Sequence, residues 1–249
     1  MKLRLLLAGV IFCAGSHAAV LVSHYDFNND SVGTVQDSAG SYNGTIVGDP
    51  VYSLDSPLGD YALNFNGDDW VELGSSANFS FASISVAFWA KPTVDGNIFL
   101  AIGQGSSNRG LMIQTYSGDM LAQMGDGTND SYDPETGLRA AYTPNSWMHI
   151  AATFDDTTKQ GILYLNGEVA KTFTAQNSID YVDSNPARIG NHSDRNGAWL
   201  VGSMDDVRIY NGVLTSGEVS ALAIPEPASI AMLGFVVSVG FFIRRRFFD

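Results

Sequence analysis

Apolar and polar residues alternate in short runs along most of the chain, and the runs stop at Gly, Asn, Asp or Pro. In ALNFNG (62–67), Leu63 and Phe65 share a face before Asn66-Gly67 turns the chain. In SISVAFWAKP (83–92), Ile84, Val86 and Phe88 share a face and Pro92 closes the run. SWMHIAATFD (146–155) and GILYLNGEVAKTF (161–173) follow, and Asn166-Gly167 in the second is the strongest short-range hairpin signal available. GSMDDVRIYNGVL (202–214) predicts a last long strand. A turn at Ser216 to Leu222 comes after it, where Thr215 or Ser216 could cap. Between the termini there is no other helical period and no internal repeat. Short strands at even spacing predict one all-β domain, an antiparallel sandwich of two sheets. Phe88, Trp89, Trp147 and Phe154 are predicted to fill the space between the sheets, each burying roughly 150–250 Å². His149, on the face of Trp147, is expected to be a hydrogen-bonded structural histidine.

The two ends break this pattern. Met1-Lys2-Leu3-Arg4 is basic, Leu5 to Ala14 is apolar, and Ser16-His17-Ala18 offers small residues to signal peptidase, so residues 1–18 read as a signal peptide. At the other end, Ala228 to Ile243 is sixteen residues without a charge, followed by Arg244, Arg245 and Arg246. As a helix it spans roughly 24 Å, a little short of a bilayer core, with a basic flank on the cytoplasmic side. Pro225-Glu226-Pro227, this single transmembrane helix and the Arg cluster together resemble the PEP-CTERM sorting signal of Gram-negative bacteria. That resemblance implies recognition by an exosortase, a transient inner-membrane intermediate, and release to the cell surface or extracellular matrix. The domain proper is then 19–223, and 224–249 is the sorting segment.

Composition narrows the partners. Residues 19–223 hold eight basic and twenty-four acidic side chains, a formal charge of −16. Such a field repels nucleic acid and anionic lipid, and it offers oxygen ligands to hard cations. Cys13 is the only cysteine and falls in the leader, so the mature domain has no disulfide. Its stability must come from a packed core, with or without a metal.

Six ordered stretches carry a second resemblance: HYDFNND…VQDSAGSYNGTI (24–46), ALNFNGDDWVEL (62–73), ISVAFWAKP (84–92), SWMHIAATFD (146–155), LYLNGEVA (163–170) and GSMDDVRIYNGVLTSGEVSAL (202–222). They are similar to those of LamG-like domains in the concanavalin A-like lectin/glucanase superfamily. The resemblance implies a jelly-roll β-sandwich that binds glycans or proteins, often with a structural calcium ion. Region 95–145 carries the least recognisable pattern, and in related domains loop variation there changes the partner.

Glucanases of this fold typically place two catalytic carboxylates on one strand, as Glu-x-Asp-x-x-Glu or Glu-x-Asp-x-Glu. Here Glu72, Glu135, Glu168 and Glu218 are far apart in sequence, and no nucleophile, phosphate-loop or zinc motif is present. The expectation is a non-enzymatic binding module for a polysaccharide or surface protein. A structural matrix protein without a defined ligand and an atypical glycoside hydrolase are the alternatives. Candidate ligand contacts are Asp130, Tyr132 and Asp133 in the acidic loop 125–137, and Trp199; Trp70 and the polar loop of Asn191, His192, Asp194 and Arg195 are further options.

A metal site is expected from strand parity. In SMDDVRIY (203–210), Val207 and Ile209 share the inward face, which places Asp205 inward too and Asp206, Arg208 and Tyr210 outward. A carboxylate at an apolar layer needs a partner. Calcium would supply one, and the resemblance implies an ion joining first and last strands, with Asp26 or Asn28 beside Asp205 and carbonyls from loop 37–44. The alternative is that Asp205 accepts backbone N–H bonds or pairs with Arg188 or Arg208.

Overall fold

The computed structural model describes residues 18–28, 33–105, 109–127, 138–194 and 200–225. In chain order the strands begin β1 Val20–Tyr25, β2 Thr34–Val35, β3 Gly44–Val47, β4 Val51–Ser53, β5 Ala62–Asn66 and β6 Trp70–Ser75. Next come β7 Ile84–Pro92, β8 Ile98–Gly105, β9 Arg109–Tyr116, β10 Asp119–Asp126, β11 Leu138–Ala141 and β12 Met148–Asp155. The last are β13 Gln160–Leu165, β14 Glu168–Thr174, β15 Pro186–Ile189 and β16 Val201–Asn211, before helix α1 Ser216–Leu222. Sheet A runs β14-β13-β12-β7-β16-β5-β4, with β1 also paired to β16, and sheet B runs β11-β10-β9-β8-β15-β6-β3-β2. All pairings are antiparallel, giving the predicted two-sheet all-β sandwich.

The core lies between the sheets and includes Tyr25, Phe65, Phe88, Phe99 and Phe154, with the Phe88 and Phe99 rings 5.7 Å apart. Two predicted core aromatics lie elsewhere. Trp89 alternates with Phe88 and Ala90, which face the core, so it points to the outer side of sheet A. There it meets His149, its cross-strand partner, with ring centroids 5.5 Å apart. Trp147 precedes β12, is half-buried, and donates its Nε1–H to Asp55 at 3.2 Å. His149 therefore packs on Trp89 rather than on Trp147.

Strand β16 departs from strict alternation. Asp206 adopts φ 53°, and the pairing with β7 slips between Asp205 and Arg208. This β-bulge resets the parity. Met204, Val207 and Ile209 all face the core, while Asp205 pairs with outward-facing Trp89. The predicted inward orientation of Asp205 is thus corrected: it stands on the outer face of sheet A, buried from above instead.

Two elements cover that face. Helix α1 packs Val219 and the preceding Leu214 over Ala87, Ala151, Tyr164 and Tyr210. Its start is fixed by a capping box between Thr215 and Glu218, a device in which the cap alone contributes about 1 kcal/mol. Loop 54–60 lies beside it, held by Lys91 on Asp55 at 2.7 Å and by Ser56 on Asp205 at 2.6 Å. The hairpin at Asn166 (φ 51°) and Gly167 (φ 82°) forms where expected, since a two-residue turn of this kind needs positive φ at both positions.

Candidate functional site

Asp26, Asn28 and Asp205, distant in sequence, line one cavity of about 350 Å³ together with His24, Asp60, Asp206 and Arg208. Its rim is closed by Leu58 from the covering loop and by Ala221, Leu222 and Ile224 at the end of the helix. Asp205 is fully buried. Its Oδ2 accepts from the Ser56 hydroxyl at 2.6 Å, and its Oδ1 from the Asp206 backbone N–H at 2.7 Å. No described arginine reaches it: Arg208 binds Asp206 at 2.8 Å, and Arg188 binds Glu72 at 3.2 Å. Asp206 also contacts His24 Nε2 at 2.5 Å. Burial pushes the Asp205 carboxyl up to about 7, with the negative charges of Asp60 and Asp206 acting in the same direction against the Ser56 hydroxyl bond.

The Ser56 hydroxyl exposes the deficit of the cavity. It lies 2.8 Å from Asp60 Oδ1 and 2.6 Å from Asp205 Oδ2, yet it has one proton to give. Either a carboxyl proton or a cation must complete the pair. Asp26, Asp60 and Asp205 are hard oxygen donors of the kind calcium takes, but as they stand their oxygens do not all lie within 4.8 Å of one another, and among the described residues only Asp49, Asp68 and Asp69 form such a group. Asn28 is committed otherwise: its amide donates to Asp60 at 2.7 Å and its Oδ1 accepts from Tyr61 N–H at 3.0 Å. It braces the acidic wall. Loop 37–44 is also engaged, wrapped around Asp37, which accepts five hydrogen bonds from Ser23, His24, Ala39, Gly40 and Tyr42.

A second acidic group, Asp49, Asp68 and Asp69, brings carboxylate oxygens within 4.8 Å of one another. Asp69 is the buried member and accepts from Asn66 N–H at 3.0 Å and Asp49 N–H at 2.9 Å, which is the role of a turn brace.

The other notable surface is the outer face of sheet B. Register places Glu72, Arg188, Ala101, Met112 and Gln123 in one row across β6, β15, β8, β9 and β10, a run of roughly 19 Å at about 4.8 Å per strand. The middle is apolar and covered, with Ile98, Ala101 and Met112 packed together and only 0%, 0% and 3% exposed. At one end Arg188 stacks over Trp70 at 5.4 Å, and beyond the other end Arg139 stacks over Tyr116 at 5.6 Å. Amides flank the apolar strip: Gln104, Gln114 and Gln123 are 4%, 6% and 2% exposed. His192 returns over this face, its carbonyl accepting from Arg188 at 2.9 Å and its Nδ1 lying 3.0 Å from Gln104 Oε1.

Among the described residues, this side of the molecule keeps several buried polar atoms without a partner. They are Trp70 Nε1, Gln123 Nε2 and, at the end of β15, Asn191 Nδ2 and Ser193 Oγ. They are not peculiar to this side: on the outer side of sheet A, Trp89 Nε1 and both ring nitrogens of His149 also lack a partner among the described residues, so the hydrogen bond expected for His149 is not made. Trp70 and Asn191 were among the sequence options; the glutamines were not, because amides scattered over three strands leave no linear motif. Asp130, Tyr132, Asp133 and Trp199 lie outside the described residues, as do Glu226, Pro227, Arg244, Arg245 and Arg246. Pro225 is described, exposed just beyond the helix. No described helix is long and apolar enough to cross a membrane.

A family model described as the concanavalin A-like lectin/glucanases superfamily matches residues 65–220. No curated protein matches the chain. Among solved structures, domain 4 of a GH43 extracellular arabinanase from Geobacillus stearothermophilus, in complex with arabinotriose, is similar at TM-score 0.59 and 21% identity, covering 84% of this chain and all of that one. A botulinum neurotoxin type C structure, whose cell entry depends on two ganglioside molecules, is similar at 0.59 and 14%, covering 82% and 50%. The binding domain of botulinum neurotoxin DC in complex with rat synaptotagmin II gives 0.59 and 15%, covering 82% and 51%. The chain thus spans about half the length of these neurotoxin chains. At such identities the likeness is one of fold.

Proposed function

Because the chain belongs to the concanavalin A-like lectin/glucanases superfamily, we propose that it is a non-catalytic binding module that takes a glycan on the outer face of sheet B. The observation that carries this is the Arg188–Trp70 stack, the half-buried part of that face, with the two groups 5.4 Å apart. Sugars present hydroxyls and apolar ring faces together, and this surface offers both counterparts. Similar folds in complex with arabinotriose or dependent on gangliosides support the reading. Against the catalysis of this fold's glucanases, which place their carboxylates on one strand, Glu72, Glu168 and Glu218 stand on β6, β14 and α1.

Calcium belongs to the same proposal. Asp205 would anchor it, with Asp26 and Asp60 of the same cavity drawn closer than they stand here, and it would supply the positive charge that these carboxylates lack while joining β1, loop 54–60 and β16. The termini complete it: signal peptidase removes residues 1–18, an exosortase reads the segment from Pro225 onward, and the domain is delivered to the cell surface or extracellular matrix.

The test is a glycan array probed with the intact chain in mild detergent, repeated with Trp70→Ala. Retention of a defined glycan set, weakened at least tenfold by Trp70→Ala, is the expected result. No retained glycan, or retention indifferent to Trp70, would favour a matrix protein without a small ligand or move the site elsewhere.

A further inference from the structure

A cavity of about 220 Å³ opens at one end of the sandwich, where the chain crosses from β11 at the edge of sheet B to β12 in sheet A. Tyr142, Thr143, Ser146 and Trp147 of the crossing line it, together with Leu165 and Asn166 at the β13–β14 hairpin. Unlike the covered strip on sheet B, this wall meets solvent. Tyr142, Trp147 and Leu165 are half-buried, and Thr143, Ser146 and Asn166 are exposed.

The wall is fixed before any ligand arrives. Asn145 adopts φ 58° in the crossing, and its N–H donates to the Pro92 carbonyl at 2.8 Å. The Trp147 indole N–H is spent on one oxygen of Asp55 at 3.2 Å, while Lys91 holds the other at 2.7 Å. Tyr142 and Leu165 pack against the core. Asn166 is clamped to the His149 backbone, donating its N–H at 2.7 Å and accepting at its side-chain oxygen at 3.0 Å. Little ordering entropy is then lost on binding.

What this wall offers is ring surface and small neutral polar groups. With its N–H engaged, Trp147 contributes its ring. The hydroxyls of Thr143 and Ser146 donate and accept, and the Asn166 amide nitrogen donates. Among the described residues no acidic or basic side chain lines the cavity, and the pair that anchors Trp147, Lys91 with Asp55, neutralises itself. An ion of either sign would lose water there without gaining a counter-charge. Size sets the other limit. Pockets for drug-sized ligands run to about 300–1,000 Å³, and this one is smaller, with room for one ring. A pyranose is a neutral ring with an apolar face for an aromatic and hydroxyls around its rim, which matches this wall group by group.

We propose that the cavity is a separate binding site for one neutral pyranose, the terminal sugar of a glycan, entering end-on with its ring against Trp147 and its hydroxyls on Thr143, Ser146 and Asn166. It rests on the glycan-binding function proposed above for the class of ligand, and on none of that site's residues.

The experiment is saturation-transfer NMR of the intact chain in detergent with the methyl glycosides of glucose, galactose and mannose, and with glucosamine as a cationic ring. Transfer to at least one methyl glycoside is expected, weakened about tenfold or more by Trp147→Ala. Because Trp147→Ala also removes packing, Ser146→Tyr decides: at an exposed position it fills the cavity, and it should abolish transfer at an unchanged melting midpoint. Thr143→Tyr takes its place if Ser146→Tyr melts earlier than wild type. In a Trp70→Ala background, which silences the sheet B site, the tetrasaccharide of the sugar that binds should bind about as tightly as its single ring. Transfer that survives the filled cavity overturns the inference, and its loss with Trp70→Ala returns the sugar to the sheet B face. Affinity that grows with chain length makes the site a groove, and stronger transfer to glucosamine makes it a cation site; either overturns it. No transfer to any methyl glycoside also overturns it, while the glycan array still judges the sheet B site independently.

Discussion

Asp37 is the residue whose replacement the structure judges most sharply. It is 8% exposed, and burial alone would raise its pKa. The N–H of His24, the Ser23 hydroxyl and the N–H groups of Gly40 and Tyr42 outweigh burial and hold it below the usual value. One oxygen accepts from His24 at 2.9 Å, Ala39 at 3.1 Å and Gly40 at 2.9 Å; the other from Ser23 at 2.8 Å and Tyr42 at 3.1 Å. Asp37→Asn keeps the shape but turns one oxygen into a donor. Placed on the side of two contacts, the amide can still meet the Ser23 oxygen, yet it leaves the Tyr42 N–H facing another donor and removes the charge from the rest. At about 1–3 kcal/mol per group left unsatisfied, a loss of about 3 kcal/mol follows. For a domain of this size that is about 6–12 °C in Tm. The sign with pH is equally specific. A folded pKa below the unfolded one stabilises above the unfolded value, near 4, and that stabilisation is lost as pH falls through the folded pKa. Melting curves followed by circular dichroism should show the widest gap between wild type and variant at pH 7 and a shrinking gap below pH 4. A gap under 2 °C at pH 7, or one that persists unchanged at pH 2.5, would refute the reasoning.

Two further outcomes follow from the acidic cavity and the tail. Calcium should raise the wild-type melting midpoint by several degrees over chelator, about 2.7 kcal/mol at a hundredfold excess over Kd, and raise Asp205→Asn much less; identical wild-type midpoints with and without chelator would remove the ion. Deleting residues 225–249 should leave a soluble, folded domain, and mass spectrometry of the surface form in the native host should find an end before Asp249; a mature form that still ends at Asp249 would point to a plain membrane anchor.

Strands β7 and β12 were legible although both their faces are buried, because large apolar residues (Ile84, Val86, Phe88; Met148, Ile150, Phe154) alternate with smaller or more polar ones such as Ser85, Ala87, Ala151 and Thr153. The β13–β14 hairpin and the capped helix were legible from local signals, Asn166-Gly167 and Thr215. Strands β8, β9 and β10 are equally buried but mix glycine, amides and apolar residues on both faces, so no period shows. Asp205 does line one cavity with Asp26 and Asn28, but not through the inward orientation that strand parity predicted. Parity counted along SMDDVRIY cannot register an extra residue, and the bulge at Asp206 inserts one. Trp89 and Trp147 were misassigned for a related reason. An aromatic signals burial, not what buries it, and here a helix and a loop cover the back of sheet A. The sheet B face was invisible because its members meet only through register.

The placement of β16 has a consequence for how the molecule is made. It is the last strand in the chain, yet it lies in the interior of sheet A, bonded to β7 along its length and to β5 and β1 on the other side. Until residues 201–211 are available, sheet A is split between β7 and β5, and β1 has no partner there. The first two hundred residues therefore cannot close the sandwich as they emerge from the ribosome, because the pairings that close it span nearly the whole chain. Under the export proposed for this chain, that delay would keep the polypeptide threadable, and closure of the sandwich would wait for the strand that passes a translocation channel last.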